Sequence, residues 1–398
     1  MYSAEEAEIC ARIPLRPTGL ARLARQLGTS PEVLRPKLDT MCDKGIVMDL
    51  VHPETGDVRY LLSPPVVGFF EFSLMRIKDG LPKKRLAEAY DAYMHHDRAF
   101  ADEVFGGDTV IGRTLVHEDF LPPEVLPEVM DWERATRVVE EAHTHAVGLC
   151  YCRHKAEHLG KECDAPQEIC LSLNAGAEFI VRRGFGRASD RVETLELLHR
   201  AREHRLVQIA DNVMNRPTYL CNCCGCCCGQ LQGINEFDLR AVNPSGYTPE
   251  VCDADCSGCS RCSRACPVQA ITMAPRRVEA RRQNDLRPAV DEDRCIGCGV
   301  CACSCGKQAL RMTPVMANQK PFVPDSTLER SLRMALERGK LPDLVFDQTQ
   351  GRGMRFLNRA LRALTRLPGA ERAIASEQMK SRFVRFALKT VQDPTGDS

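Results

Sequence analysis

Apolar residues recur at helical spacing early in the chain and then give way to strand-like runs. Leu20, Leu23, Ala24 and Leu27 share one helix face, Gly28 is a stop signal, and Ser30 with Pro31 after it is a start signal. Leu34, Leu38 and Met41 continue a second helix, which Gly45 closes. IVMDLV and VRYLL then flank HPETGD, the pattern of a hairpin. Residues 66 to 130 read as helices joined by proline-rich turns such as LPPEVLP. A helix is expected around Trp132 to Ala142, and another begins at Asp190, with Glu193 three residues on as its capping partner. From residue 325 the chain reads as helical. Arg355, Arg359, Arg362 and Arg366 run beside an apolar stripe of Met354, Leu357, Leu361 and Leu364.

The two helices and hairpin of the first 65 residues resemble a winged-helix domain. That resemblance implies contact with DNA or with protein. For DNA, Arg35 and Lys37 on the second helix, with Lys44 beyond it, would meet the groove or the phosphates. Pro36, Glu32 and Asp39 beside them favour an assembly role.

A chain of 398 residues has room for several cores. Its 54 basic and 54 acidic residues cancel, so there is no overall nucleic-acid signature. No run of about 18 apolar residues is present, so no transmembrane segment is expected. MYSAEEAEIC lacks the basic start and apolar core of a secretory signal, and the chain reads as cytoplasmic. No P-loop, nucleophile elbow or HExxH motif appears. GFGRAS, at Gly184 to Ser189, imitates the start of a dinucleotide fingerprint but lacks its third glycine.

The chemistry lies in cysteine. Of 22, 20 fall between Cys150 and Cys305. Cys256, Cys259, Cys262 and Cys266 precede Pro267, and Cys295, Cys298, Cys301 and Cys305 repeat the spacing. Three thiolates three residues apart let one short loop wrap a corner of an iron–sulfur cube, and the fourth must come from elsewhere. Paired structural zinc sites would leave the third cysteine and the Cys-Pro ending without a role.

With CPVQAI and DRCIGCGVC around them, the runs resemble a bacterial ferredoxin with two 4Fe-4S clusters. The resemblance implies exchange of the fourth ligand. Cys256, Cys259, Cys262 and Cys305 would hold one cluster, and Cys295, Cys298, Cys301 and Cys266 the other. Departures from the ferredoxin pattern are Gly306 in place of a second proline, and an insertion carrying Arg276, Arg277, Arg281, Arg282 and Arg287, a candidate docking surface for an acidic partner.

Ten further cysteines precede this module. They are Cys150, Cys152, Cys163 and Cys170, then six in YLCNCCGCCCG: Cys221, Cys223, Cys224, Cys226, Cys227 and Cys228. So many thiols left free would be reactive, and metal binding explains them best. An additional iron–sulfur cluster is expected, with zinc or a redox dithiol as the alternative, and the spacings do not divide the ten among sites. His154 and His158, and His143 and His145, read as solvated residues more readily than as ligands.

The whole is expected to be α+β and multidomain. Its parts are a winged-helix-like domain (1–65), a helical connector (66–130), a mainly helical cysteine-rich centre (131–235), a two-cluster ferredoxin-like domain (236–315) and a helical basic tail (316–398). The expected function is electron transfer to a redox partner protein or within a larger anaerobic oxidoreductase complex, with no substrate site identified. The alternatives are a redox-sensing DNA-binding regulator and a metal- or sulfur-handling maturation factor.

Overall fold

Turn and cap residues fix the helices after residue 19 and the hairpin as the pattern predicts, and a helix not predicted precedes them. In the computed structural model, which describes residues 2–52, 55–64, 68–77, 79–96, 98–126, 129–275, 286–345 and 352–365, Ser3 and Glu6 cap helix Ala4–Cys10 reciprocally. Strand β1 (Thr18–Gly19) leads into helix Leu20–Leu27, which Gly28 ends at φ 71°. Helix Pro31–Asp43 follows, and β2 (Val47–Val51) and β3 (Val58–Leu62) form the hairpin. The sheet order is β1-β3-β2, closed over Leu23, Leu34, Leu38 and Met41.

The centre is organised by a sheet. Its strands are β4 (Gly112–Leu115), β5 (His145–Leu149), β6 (Glu168–Leu173), β7 (Gly186–Ser189), β8 (Val207–Asp211), β9 (Tyr219–Cys223) and β10 (Val242–Asn243). They run in the order β10-β4-β8-β9-β6-β5-β7, antiparallel except between β10 and β4. One core gathers Leu115, Val138, Leu171, Leu198 and Leu220, and another gathers Ile209, Cys223, Leu231 and Val242.

Three expectations change. Residues 131–235 are not mainly helical, because their helices pack on this sheet. Residues 66–130 are not a helical connector alone, since they supply β4. The boundary at 236 cuts the same sheet, which takes β10 from beyond it. Strands of four and two residues show too little alternation to be read from sequence. GFGRAS is no phosphate loop, because most of it is strand β7.

In the ferredoxin-like stretch, β11 (Tyr247–Val251) pairs with β14 (Leu310–Pro314), and β12 (Ile271–Pro275) pairs with β13 (Leu286–Val290). Beyond it, helix Thr327–Glu337 belongs to the body: Arg330 pairs with the buried Asp211, and Arg338 donates to the Glu103 carbonyl at 2.8 Å. Arg362 pairs with Asp343. Arg276, Arg277, Arg281, Arg282 and Arg366, and the side chains of Arg355 and the apolar stripe, lie outside the described residues. Among the described residues no helix is long and apolar enough to cross a membrane.

An ion cluster locks the N-terminal unit to the centre. Asp49 on β2 is 3% exposed and accepts from Arg182 Nε and Arg183 Nη2, both at 2.9 Å. Arg183 also reaches Asp39 and Asp43 on helix Pro31–Asp43, at 2.9 and 3.0 Å. Burial opposes the charge on Asp49, yet hydrogen bonds from Arg183 and Arg182 prevail and hold its carboxyl below the ordinary range. Its stabilisation is therefore complete above the pKa of an unfolded aspartate and is lost as pH falls through the lower folded value. Asp49→Asn is expected to cost about 3 kcal/mol near neutral pH. The penalty should shrink on acidification. Thermal unfolding across the acid range measures both, and a penalty independent of pH would contradict the assignment.

Candidate metal centres

The two cysteine runs sit in two copies of one local structure. In each, a strand (β11 or β13) enters a cysteine loop, a short helix follows (Arg261–Ala265 or Val300–Cys303), and a second strand leaves (β12 or β14). The loops repeat the same left-handed positions: Gly258 at φ 69° matches Gly297 at 67°, Ser260 at 60° matches Gly299 at 83°, and Gln269 at 57° matches Gln308 at 51°. Ala270 N–H donates to Cys266 Sγ at 3.2 Å, and Ala309 N–H donates to Cys305 Sγ at 3.3 Å.

Strand pairing explains which sulfurs meet. Each two-stranded sheet joins one strand from each copy, so the last cysteine of either run is carried to the loop of the other. Cys256, Cys259, Cys262 and Cys305 line one cavity of about 180 Å³. Cys266 lies with Cys295, Cys298 and Cys301. Four thiols around one cavity, with N–H donors aimed at the exchanged sulfurs, fit an iron–sulfur cluster. Burial pushes the Cys295 thiol up to about 11 and raises Cys298 well above its ordinary value, so loading a metal there must displace protons.

All 22 cysteines are free thiols, and the ten central ones divide in two. Cys163, in the loop after helix Tyr151–His158, meets Cys224, Cys226 and Cys227 from the turn after β9. Their sulfurs all lie within 4.8 Å of one another. Cys163 is 3.6 Å from Cys224 and 3.9 Å from Cys227, and Cys227 is 3.7 Å from Cys226. A tetrahedral ion with metal–sulfur bonds of about 2.3 Å spaces its ligands roughly 3.8 Å apart, so this group fits a single ion such as zinc. Contact with Cys227, and then the charge of Arg153, pulls the Cys224 thiol down despite burial.

The other six, Cys150, Cys152, Cys170, Cys221, Cys223 and Cys228, line an adjoining pocket that Cys224 of the first group also borders. Alternation on β9 puts Cys221 and Cys223 on one face of the strand. The β6–β9 register, with Leu171 opposite Leu220, brings Cys170 beside Cys221. Cys150 and Cys228 stand at the N-caps of helices Tyr151–His158 and Gly229–Phe237.

The central cysteines abut the ferredoxin-like module. Gly225, inside CNCCGCCC, lies so close to Pro267 that a Cβ there would collide with the Pro267 carbonyl. Asn235 Nδ2 donates to that carbonyl at 3.0 Å and to the Gly225 carbonyl at 3.4 Å. Cys223, Cys228, Val268, Ile296 and Cys298 share one core. Arg153, Asn235 and Gly225 escaped sequence reading; the arginine in CYCRH was the available signal.

The histidines divide differently from expectation. His154 is buried, with Nδ1 2.6 Å from the Leu74 carbonyl oxygen, and His158 Nε2 is 3.1 Å from His154 Nε2. His145 is buried as well, 2.8 Å from the Val139 carbonyl oxygen, while His143 is exposed. None of the four is in the compact four-thiol group.

Residues 255–324 match the family model of a 4Fe-4S dicluster domain, which makes this stretch an iron–sulfur domain. No curated protein and no solved structure matches the chain.

Gly297 tests how the loop is built. A Cβ there would collide with Ser245 Oγ and the Tyr247 carbonyl, at a φ of 67° that alone costs about 1–2 kcal/mol for a residue with a side chain. Gly297→Ala is expected to lower iron per chain by the share of the Cys295 loop. Gly306→Ala, whose Cβ would meet only Arg261 Nη1 at 3.2 Å, should leave iron unchanged. Equal iron in both variants would contradict the geometry.

Proposed function

We propose that this is an electron-transfer protein in which two 4Fe-4S clusters relay single electrons between a surface partner and the central metal–thiol region. Cys256, Cys259, Cys262 and Cys305 hold the outer cluster. Cys295, Cys298, Cys301 and Cys266 hold the inner one. The order follows exposure: Cys259 is open to solvent, whereas Cys298 and Cys301 are buried.

The observation that carries this reading is the packing of Gly225 on Pro267, the residue after Cys266. It sets the inner cluster's exchanged ligand next to the cysteine-rich turn. The N–H bonds to Cys266 and Cys305 stabilise the more negative, reduced clusters, and burial opposes that charge, so the two together tune the potentials. Cys163, Cys224, Cys226 and Cys227 hold a further ion beyond this relay. The partner is a redox protein or a larger oxidoreductase of the anaerobic cytoplasm.

The N-terminal unit has the helix and strand order of a winged helix, and its contacts support an assembly role. Lys37 and Lys44, two of the three cations that would face DNA, pair with Glu5 and Glu6 of helix Ala4–Cys10. Arg183 holds Asp39 and Asp43 of helix Pro31–Asp43 against the centre. The regulator reading draws support from element order alone.

Exchange of the fourth ligand gives the test. Electron paramagnetic resonance of anaerobically purified, reduced protein is expected to show two cubane signals. Cys305→Ser should alter the signal that Cys256→Ser alters, and Cys266→Ser the signal that Cys298→Ser alters. Pairing of Cys305 with Cys298 instead, or spectra without reducible cubanes, would overturn the assignment.

A further inference from the structure

Arg153 is 1% exposed and lines the pocket of the six thiols. Nη1 donates to the Pro166 carbonyl at 3.1 Å and Nη2 to the Asn222 carbonyl at 2.8 Å, while Nε has no hydrogen-bond partner. Among the described residues no carboxylate forms an ion pair with it. Thiolate charge on Cys150, Cys224 or Cys223 would stabilise it, and Cys163 is a further sulfur neighbour. A buried guanidinium without a counter-charge is costly by several kcal/mol. Neutral thiols do not supply that charge; thiolates do, Cys224 being the one drawn down beside it, and metal binding would ionise the remaining thiols as well.

The six thiols of the neighbouring pocket form a continuous chain. Cys150 interacts with Cys152, Cys152 with Cys228, Cys228 with Cys223, Cys223 with Cys221, and Cys221 with Cys170. Six sulfurs exceed the four that one tetrahedral ion takes. Nor do they form a compact single-ion group: among the described residues only Cys163, Cys224, Cys226 and Cys227 do. The ferredoxin-like sets are likewise not compact single-ion groups, as ligands spread around a cluster should be. The space between these thiols is about 30 Å³, against about 180 Å³ beside Cys256, so seating a polynuclear centre there requires the thiols to move apart.

We propose that Cys150, Cys152, Cys170, Cys221, Cys223 and Cys228 hold a polynuclear iron–sulfur centre, with Arg153 as its buried counter-charge. It is distinct from the single ion of the four-thiol group, with Arg153 lying between the two. The inference rests on the electron-transfer reading only for its role as the terminus of the relay; the site itself stands on the thiols and the arginine.

Metal and sulfide analysis of the full chain, purified anaerobically, tests it. Iron and acid-labile sulfide are expected in excess of what two 4Fe-4S clusters contain. The double variant Cys221→Ser/Cys223→Ser should lose that excess and keep the reduced-cubane resonances, which report that the rest is folded. Cys150→Ser, at the end of β5, provides a second variant outside β9 and should lose it too. Cys163→Ser should release one metal ion and no sulfide. Sulfide limited to two cubanes in the unaltered protein, or an excess that survives both Cys221→Ser/Cys223→Ser and Cys150→Ser, overturns the proposal. An excess without cubane resonances would keep this site and defeat the two-cluster relay instead.

Discussion

Sulfur buried in a protein stays a neutral thiol unless a neighbouring cation, hydrogen bonds or a metal stabilise the thiolate, and the crowding of these cysteines favours metal. Burial raises the thiols of Cys295 and Cys298, so without a ligand they stay protonated. Arg153, buried beside these cysteines and paired with no carboxylate among the described residues, takes its negative charge from thiolate sulfur. Thiolate–metal bonding answers both conditions, since it ionises the sulfur and gives the guanidinium its partner.

The architecture serves that bonding. The central sheet brings Cys170 on β6 against Cys221 on β9, and the turn after β9 delivers three cysteines to Cys163. In the ferredoxin-like module, pairing β11 with β14 and β12 with β13 exchanges the last cysteine of each run. The two regions then meet at Gly225 and Pro267, where Asn235 ties the backbones together. The N-terminal unit lies outside this redox interior and is held to it by Asp49 and Arg183.

What could be read from sequence was what is local. The runs from Cys256 to Cys305 announce themselves because a cluster loop needs its thiolates three residues apart. Gly28, Ser30 and Pro31 mark the first helices for equally local reasons. The division of the ten central cysteines was not legible, because it depends on sheet register: Cys163 and Cys224 stand 61 residues apart and meet only when β5, β6 and β9 align. The sheet itself was hidden by β4 and β10, too short to carry a period. The role of Arg153 was invisible because charge compensation appears only once its surroundings are known.

The central claim is that inner cluster and central thiols form one redox unit across the Gly225–Pro267 contact. Electron paramagnetic resonance of the fully reduced, full-length protein tests this most directly, through magnetic interaction between neighbouring centres. The account predicts an inner-cluster resonance broadened by a paramagnetic neighbour and restored to an isolated line shape by Cys221→Ser/Cys223→Ser. An inner-cluster spectrum identical with and without the central thiols would contradict it.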